Sequence, residues 1–167
     1  MNKAMNRLPQ IRLVGFDVDG VFTDGRFYLS DDGVESKAFN TQDGFGIRQL
    51  ARAGVAVAVI SGRKSGAVEK RMAELGVTHV VLGCPDKVQA LDGIIAELGI
   101  TAADCAYVGD DVPDLAVLRH VGVSIAVANA TRPVLDFCDF TTEKRGGHGA
   151  VREVCDLILE ARGAAGR

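Results

Sequence analysis

Two aspartates one residue apart, Asp17 and Asp19, follow the apolar run Ile11–Phe16 and lead into Gly20. Ser61 closes a second such run, Val55–Ile60. Lys87 lies just past a third, His79–Leu82, and Asp110, Asp111 and Asp114 follow a fourth, Cys105–Val108. Each of these residue types has a use in moving a phosphoryl group. A carboxylate such as Asp17 can attack phosphorus and form an acyl phosphate that water then cleaves. A second carboxylate two residues on, Asp19, can protonate the departing alkoxide and afterwards activate water. The Ser61 hydroxyl can donate to a phosphate oxygen, and Lys87 can balance charge on the nucleophile and the transferring group. Carboxylates gathered from several strand ends can hold Mg²⁺, with Asp17, Asp19 and Asp110 as the candidate ligands.

Each residue also has a plainer use. D-x-D before glycine makes a turn by itself. A lysine in a first helical turn is ordinarily solvated, and Asp111 and Asp114 suit a helix N-terminus. Asp114 either braces a ligand or merely starts a helix, and the spacing leaves both open. The joint pattern favours chemistry. So many acids at one edge repel each other unless a cation sits among them.

The elements that must position these residues follow from the apolar pattern. Runs of apolar residues bounded by glycine and polar residues, at Ile11–Phe16, Val55–Ile60, His79–Leu82, Cys105–Val108 and Val123–Val127, suit strands buried on both faces. Helical stripes lie between them at Ser65–Leu75, Lys87–Leu98, Val112–Val121 and Val151–Ala161. The alternation predicts an α/β fold, a three-layer Rossmann-like parallel sheet with helices on both faces. Its ligands belong at the carboxyl ends of the strands. Phe22–Asn40 breaks the rhythm. Two β-like stretches flank Ser30-Asp31-Asp32-Gly33, which predicts a β-hairpin at about 26–39, inserted after the first core strand.

At 167 residues the chain suits one domain, expected over 11–162, with a loose arm at 1–10 and a tail at 163–167. The hydrophobic fraction is 47% and the net charge −3, which disfavours nucleic acid or an anionic membrane as a partner. No apolar run reaches membrane-span length, and the first ten residues lack a signal-peptide core. Four scattered cysteines without C-x-x-C spacing read as reduced structural thiols, which points to the cytoplasm.

F-D-V-D-G-V-F-T-D-G (Phe16–Gly25), S-G-R (Ser61–Arg63), Lys87 and G-D-D-x-x-D (Gly109–Asp114) resemble the four motifs of the haloacid dehalogenase superfamily. N-T-Q-D-G-F-G-I (Asn40–Ile47) and G-G-H-G-A-V-R-E (Gly146–Glu153) narrow the resemblance to its phosphatases of acid sugar phosphates, over about Arg12 to Leu159. The resemblance implies a Mg²⁺-dependent hydrolysis of an eight-carbon acid sugar phosphate through an aspartyl-phosphate on Asp17, in the supply of lipopolysaccharide precursors. It implies substrate contacts from Asp19, Asn40, Thr41, Gln42, Asp43, Gly44, Arg48, Arg63, Arg71 and Lys87. A helical arginine such as Arg71 is ordinarily a surface residue, so its place in this set rests on the resemblance.

Many members of the superfamily carry a cap domain over the site, and this sequence has no room for one. Related phosphatases close the site by forming homotetramers. Phe27, Tyr28 and Leu29 on the hairpin suit such a contact, the plainer alternative being a hairpin folded back on its own core. Gly146–Gly149 is either a mobile closing loop around His148 or a linker to the last helix. Three rivals remain: a phosphatase of a nine-carbon acid sugar phosphate, a signalling receiver domain and a non-catalytic assembly module. The order D-x-D-G, Ser61, Lys87 and then a second acidic set disfavours a receiver. An assembly module needs none of these residues.

Overall fold

In the computed structural model, which describes Ala4 and residues 6–163, six parallel strands form one sheet in the order β5-β4-β1-β6-β7-β8. These are β1 (Leu13–Phe16), β4 (Ala56–Ser61), β5 (His79–Leu82), β6 (Cys105–Gly109), β7 (Val123–Ala126) and β8 (Phe140–Thr141). The remaining pair, β2 (Tyr28–Leu29) and β3 (Glu35–Ser36), is the antiparallel hairpin. The predicted α/β class and the hairpin insertion are both present. The strand order reverses beside β1: the chain runs outward through β4 and β5, then crosses back to β6 on the other side. Such a reversal opens a crevice at the carboxyl edge of β1.

Every residue of β1, β6 and β7 is buried, as strands covered on both faces must be. Gly15 in β1 has a packing reason. A Cβ there would lie 2.5 Å from Cδ2 of Tyr107, whose ring is fully buried and whose hydroxyl donates to the Ile60 carbonyl at 3.3 Å. Only hydrogen leaves room for that ring.

The helices are α1 (Thr41–Arg52), α2 (Gly66–Leu75), α3 (Lys87–Leu98), α4 (Leu115–His120), α5 (Arg132–Phe137) and α6 (Ala150–Ala161). Their ends are set locally. Asn40, Ser65 and Asp86 cap α1, α2 and α3 by accepting from Gln42 N, Val68 N and Gln89 N. Each such cap is worth about 1 kcal/mol. Gly76 and Gly99 end α2 and α3 in the left-handed conformation that a side chain resists. Because Asp86 caps α3, Lys87 becomes its first residue and stands at the sheet's carboxyl edge.

Two short elements, α5 and β8, have no counterpart among the predicted segments. The segment expected as a loose arm contains Leu8, which is fully buried and packed into the core, and Arg7 donates to the Gly122 carbonyl. Apolar Leu8 and Ile11 bring the chain down onto the core before β1 starts. Of the expected tail only Gly163 is described; residues 164–167 lie outside the described residues.

Candidate active site

The Asp17 amide still pairs with the Val108 carbonyl at 3.0 Å, so the residue leaves β1 in register with the sheet. Beyond it the chain curls. The Val18 carbonyl accepts from the amides of Val21, Phe22 and Thr23, and the Thr23 hydroxyl accepts from those of Gly20 and Gly25, both at 3.2 Å. Gly20 has φ +88°, and a Cβ there would lie 2.0 Å from Oδ2 of Asp110. The loop therefore brings Asp110, at the end of β6, against the backbone of the Asp17 loop.

Lys87 reaches across from α3. Its Nζ donates to Oδ1 of Asp17 at 2.8 Å and to Oδ1 of Asp114 at 2.7 Å, with all three side chains largely or wholly buried. Asp114 is fully engaged. Its Oδ2 accepts from the amides of Asp110 (3.0 Å) and Asp111 (3.3 Å) and so shapes the turn that carries Asp110. Both readings left open for Asp114 come together here: it starts a helix and it holds the lysine. Ser61 is buried at the end of β4, and its hydroxyl accepts from the Arg63 amide at 3.3 Å.

Asp17, Asp110 and Asp114 have carboxylate oxygens within 4.8 Å of one another. Burial, and then the charge of Asp114, pushes Asp17 up to about 6 against the pull of Lys87. Burial, followed by the charges of Asp17 and Asp114, pushes Asp110 up to about 8. Burial works against the Lys87 ammonium, but Asp17 and Asp114 outweigh it and hold it above its ordinary value. Three carboxylates facing one ammonium leave two negative charges in excess, the charge that one divalent cation neutralises. Hard oxygen donors and this deficit fit Mg²⁺. Asp17 and Asp110 would hold it, with Asp114 beside them already bonded to Lys87 and to two backbone amides.

Asp19 was expected among the metal's ligands, but its carboxylate points elsewhere. Lys37, at the root of the hairpin, donates to Oδ1 of Asp19 at 2.5 Å, and Nε of Arg63 lies 3.9 Å from Oδ2. Arg63 also pairs with Glu35 at 2.7 Å, and its guanidinium stacks over the Phe27 ring at 4.2 Å. Burial works against the Glu35 charge, and Arg63 and Lys37 outweigh it, so its carboxyl stays below the usual range. The hairpin root thus folds back over the entrance of its own chain's site. Tyr28, Leu29 and Val34 remain exposed towards its tip. Lys37 and Glu35 were missed in the sequence, where the only signal was a pair of charges flanking Ser36 in a β-like stretch.

The expected sugar-contacting residues divide. Asn40 caps α1 and donates to the Gly147 carbonyl at 3.4 Å, while Thr41 and Gln42 are exposed at the helix start. Asp43, expected on the substrate, is 1% exposed and accepts from the Arg152 amide at 2.9 Å. It does this because the N-terminus of α6 is preceded by Gly149, which has no capping side chain. Gly44 is buried against Arg71, whose Nη2 would lie 2.5 Å from a Cβ there. Arg48 and Arg71 are not brought to Asp19. Arg48 donates to the Glu74 carbonyl at 3.0 Å and Arg71 pairs with the Glu74 carboxylate at 3.1 Å, because both face the far end of α2.

Gly146–Gly149 is neither a free flap nor a bare linker. A Cβ on Gly146 would lie 1.8 Å from the Gly20 carbonyl oxygen, and one on Gly147 would lie 2.6 Å from the Asp24 amide nitrogen. Asn129 fastens the two segments, donating to Gly20 O at 2.9 Å and accepting from Gly146 N at 2.6 Å. Glycine is required because backbone lies directly on backbone.

Residues 84–154 match the family model of the haloacid dehalogenase-like hydrolases. The 3-deoxy-D-manno-octulosonate 8-phosphate phosphatase KdsC of Escherichia coli strain K12 is 47% identical over 94% of this chain and 84% of the relative. The chain belongs to the haloacid dehalogenase-like hydrolases. Among solved structures of such hydrolases, the phosphatase of that name from Yersinia pestis superposes with a TM-score of 0.95 at 44% identity, covering 96% of this chain and 87% of the other. That from Moraxella catarrhalis, in complex with magnesium ion, phosphate ion and a KDO molecule, gives 0.94 at 44% identity, over 98% of this chain and 94% of the other. As a phosphatase of this family the chain is a Mg²⁺-dependent phosphoric monoester hydrolase. No helix among the described residues is long and apolar enough to cross a membrane.

Proposed function

We propose that the chain hydrolyses 3-deoxy-D-manno-octulosonate 8-phosphate to the free sugar acid and inorganic phosphate, in the cytoplasm, as a step toward lipopolysaccharide. The observation that carries the reading is the buried Asp17 carboxylate, pinned by Lys87 and faced by Asp110, in a chain 44% identical over nearly its full length to a phosphatase solved with magnesium, phosphate and the sugar acid. Bound Mg²⁺ supplies charge screening between the Asp17 carboxylate and the incoming phosphate. Lys87 holds Oδ1 of Asp17 and so fixes the carboxylate for attack on phosphorus. As the bond from phosphorus to the sugar oxygen breaks, Asp19 gives that oxygen a proton, leaving the phosphoryl group on Asp17. Asp19 then takes a proton from the water that cleaves the acyl phosphate, returning Asp17 to its carboxylate. Ser61 donates to a phosphate oxygen.

Arg63 lies at the entrance beside Asp19 and suits the sugar's carboxylate through a bidentate contact. We assign Arg48, Arg71, Asn40, Thr41, Gln42 and Gly44 to a neighbouring copy's pocket, since Arg48, Arg71 and Asn40 contact Glu74 and Gly147 within one chain, and we assign Asp43 to holding the start of α6. The exposed Tyr28, Leu29 and Val34 of the hairpin support assembly into a homotetramer. A nine-carbon acid sugar phosphate would meet the same machinery.

A phosphate-release screen across eight- and nine-carbon acid sugar phosphates with Mg²⁺ tests the reading. The eight-carbon ester should give the highest kcat/KM, and preference for the nine-carbon ester would overturn it. Arg63→Ala should cost sugar-phosphate turnover more than aryl-phosphate turnover. A monomer mass by light scattering would contradict the tetramer.

A further inference from the structure

The site as described leaves one buried cation without a task. Lys37 stands just past β3, and its side chain is 1% exposed. The acids it faces are Asp19 at 2.5 Å and Glu35 at 3.5 Å. A surface lysine paired with an acid contributes little, because water competes for both groups. A lysine stripped of water has no such alternative, and its bond to Asp19 is directional.

Among the described residues the other cation paired with Asp19 is Arg63, and it is a poorer support. It lies 3.9 Å away, beyond hydrogen-bond distance, and its side chain is 47% exposed. It is also shared with Glu35 and with the Phe27 ring. When Arg63 engages the carboxylate of a substrate, its hold on Asp19 weakens further. From that moment only Lys37 keeps the Asp19 carboxylate aimed.

We infer that Lys37 is a positioning residue of the reaction: the hairpin root inserts its ammonium under Oδ1 of Asp19 and so aims Oδ2, the oxygen that carries the proton, at the leaving oxygen while Arg63 is occupied by substrate. This rests on Asp19 as the acid of the proposed reaction. It gives the hairpin a duty inside its own chain, separate from any contact between copies. It also explains why a ribbon of two-residue strands, too short to be stable alone, lies at the entrance: buried and half-buried ion pairs from Glu35 and Lys37 tie it to Asp19 and Arg63.

The test uses leaving-group dependence. A sugar alkoxide leaves poorly without a proton, whereas a nitrophenolate leaves without help. Wild type, Lys37→Met, Lys37→Arg and Asp19→Asn are compared on 3-deoxy-D-manno-octulosonate 8-phosphate and on para-nitrophenyl phosphate with saturating Mg²⁺, after their folds are matched by circular dichroism. In single turnovers with enzyme in excess, which read leaving-group release before Asp19 acts on water, Lys37→Met should slow release of the sugar by about 10²-fold and release of nitrophenolate by less than about threefold. Lys37→Arg, which restores a cation, should recover much of the loss. Equal losses on both substrates, or none on the sugar phosphate, overturn the inference. If Lys37→Met does not fold, Lys37→Gln carries the same comparison. Asp19→Asn separates the two layers of argument. If it shows no leaving-group selectivity, Asp19 is not the acid; if it shows selectivity and Lys37→Met does not, Lys37 does not position it.

Discussion

Asp43 offers a prediction in which function and stability part company. Its carboxylate is buried between α1 and α6: Oδ1 accepts the Arg152 amide and Oδ2 has no hydrogen-bond partner. Burial pushes it up to about 6, against the Arg152 amide and the charges of Lys144, Arg152 and His148. In the unfolded chain the same group titrates near its ordinary value of 3.8. Below that value both states carry the proton and the full contribution to stability is present. As pH rises toward 6 the unfolded state ionises first, so stability is lost. Above the folded value the loss is complete and constant. Two units correspond to at most about 3 kcal/mol, and water and basic neighbours at the rim reduce this to about 1–2 kcal/mol. Urea unfolding of wild type and Asp43→Asn, from about pH 4 to about pH 7.5 in EDTA, isolates the effect, because titrations that do not involve Asp43 or its charged neighbours cancel in the difference. Wild-type stability relative to the variant should fall by about 1–2 kcal/mol up to about pH 6 and then stay level. A difference that is flat, or that rises with pH, would mean that burial does not hold the proton on Asp43. The variant keeps an acceptor for the Arg152 amide, so KM should move less than about threefold if Asp43 serves α6 and not the substrate.

Asp17→Asn should abolish turnover while thermal unfolding stays cooperative; near-normal activity would remove the covalent route. Chelation with EDTA should stop phosphate release and lower the melting temperature, and Mg²⁺ at about 100 times its Kd should restore about 2.7 kcal/mol. Asp110→Asn should lose that response, and a variant that kept it would place the metal elsewhere. Gly146→Ala drives a methyl into the Gly20 carbonyl, where neither backbone can yield cheaply. We expect a cost of about 2–4 kcal/mol in chemical denaturation together with a fall in kcat, whereas Gly33→Ala on the exposed hairpin turn should cost only backbone strain.

The residues at the strand ends were legible because chemistry and topology coincide there. Asp17, Ser61, Lys87 and Asp110 each follow an apolar run, and parallel strands must bring such positions to one edge. Side-chain aim was not legible. Nothing in D-V-D tells Asp19 to turn from the metal to a lysine eighteen residues on, and Lys37 itself reads as an ordinary strand charge. Arg48 and Arg71 were chosen by resemblance, and their helical spacing carries them to Glu74. Asp43 belongs to the expected pocket by resemblance, with the rest of Asn40–Gly44; its partner, the amide of Arg152, is invisible until α6 is placed. Elements of two to six residues, β8 and α5, are too short to show a period.

The clasp of Gly146 on Gly20 also sets an order of events. Asp17 is made early and Asn129, Gly146 and Gly147 late, yet these late residues supply backbone contacts to the loop that carries the nucleophile. A chain still leaving the ribosome has its attacking group but not the clamp that shapes the loop around it. Catalytic competence therefore waits until Gly146 and Gly147 have been made and have folded back onto that loop. A nascent chain arrested before residue 146 would bind neither Mg²⁺ nor phosphate as the finished protein does.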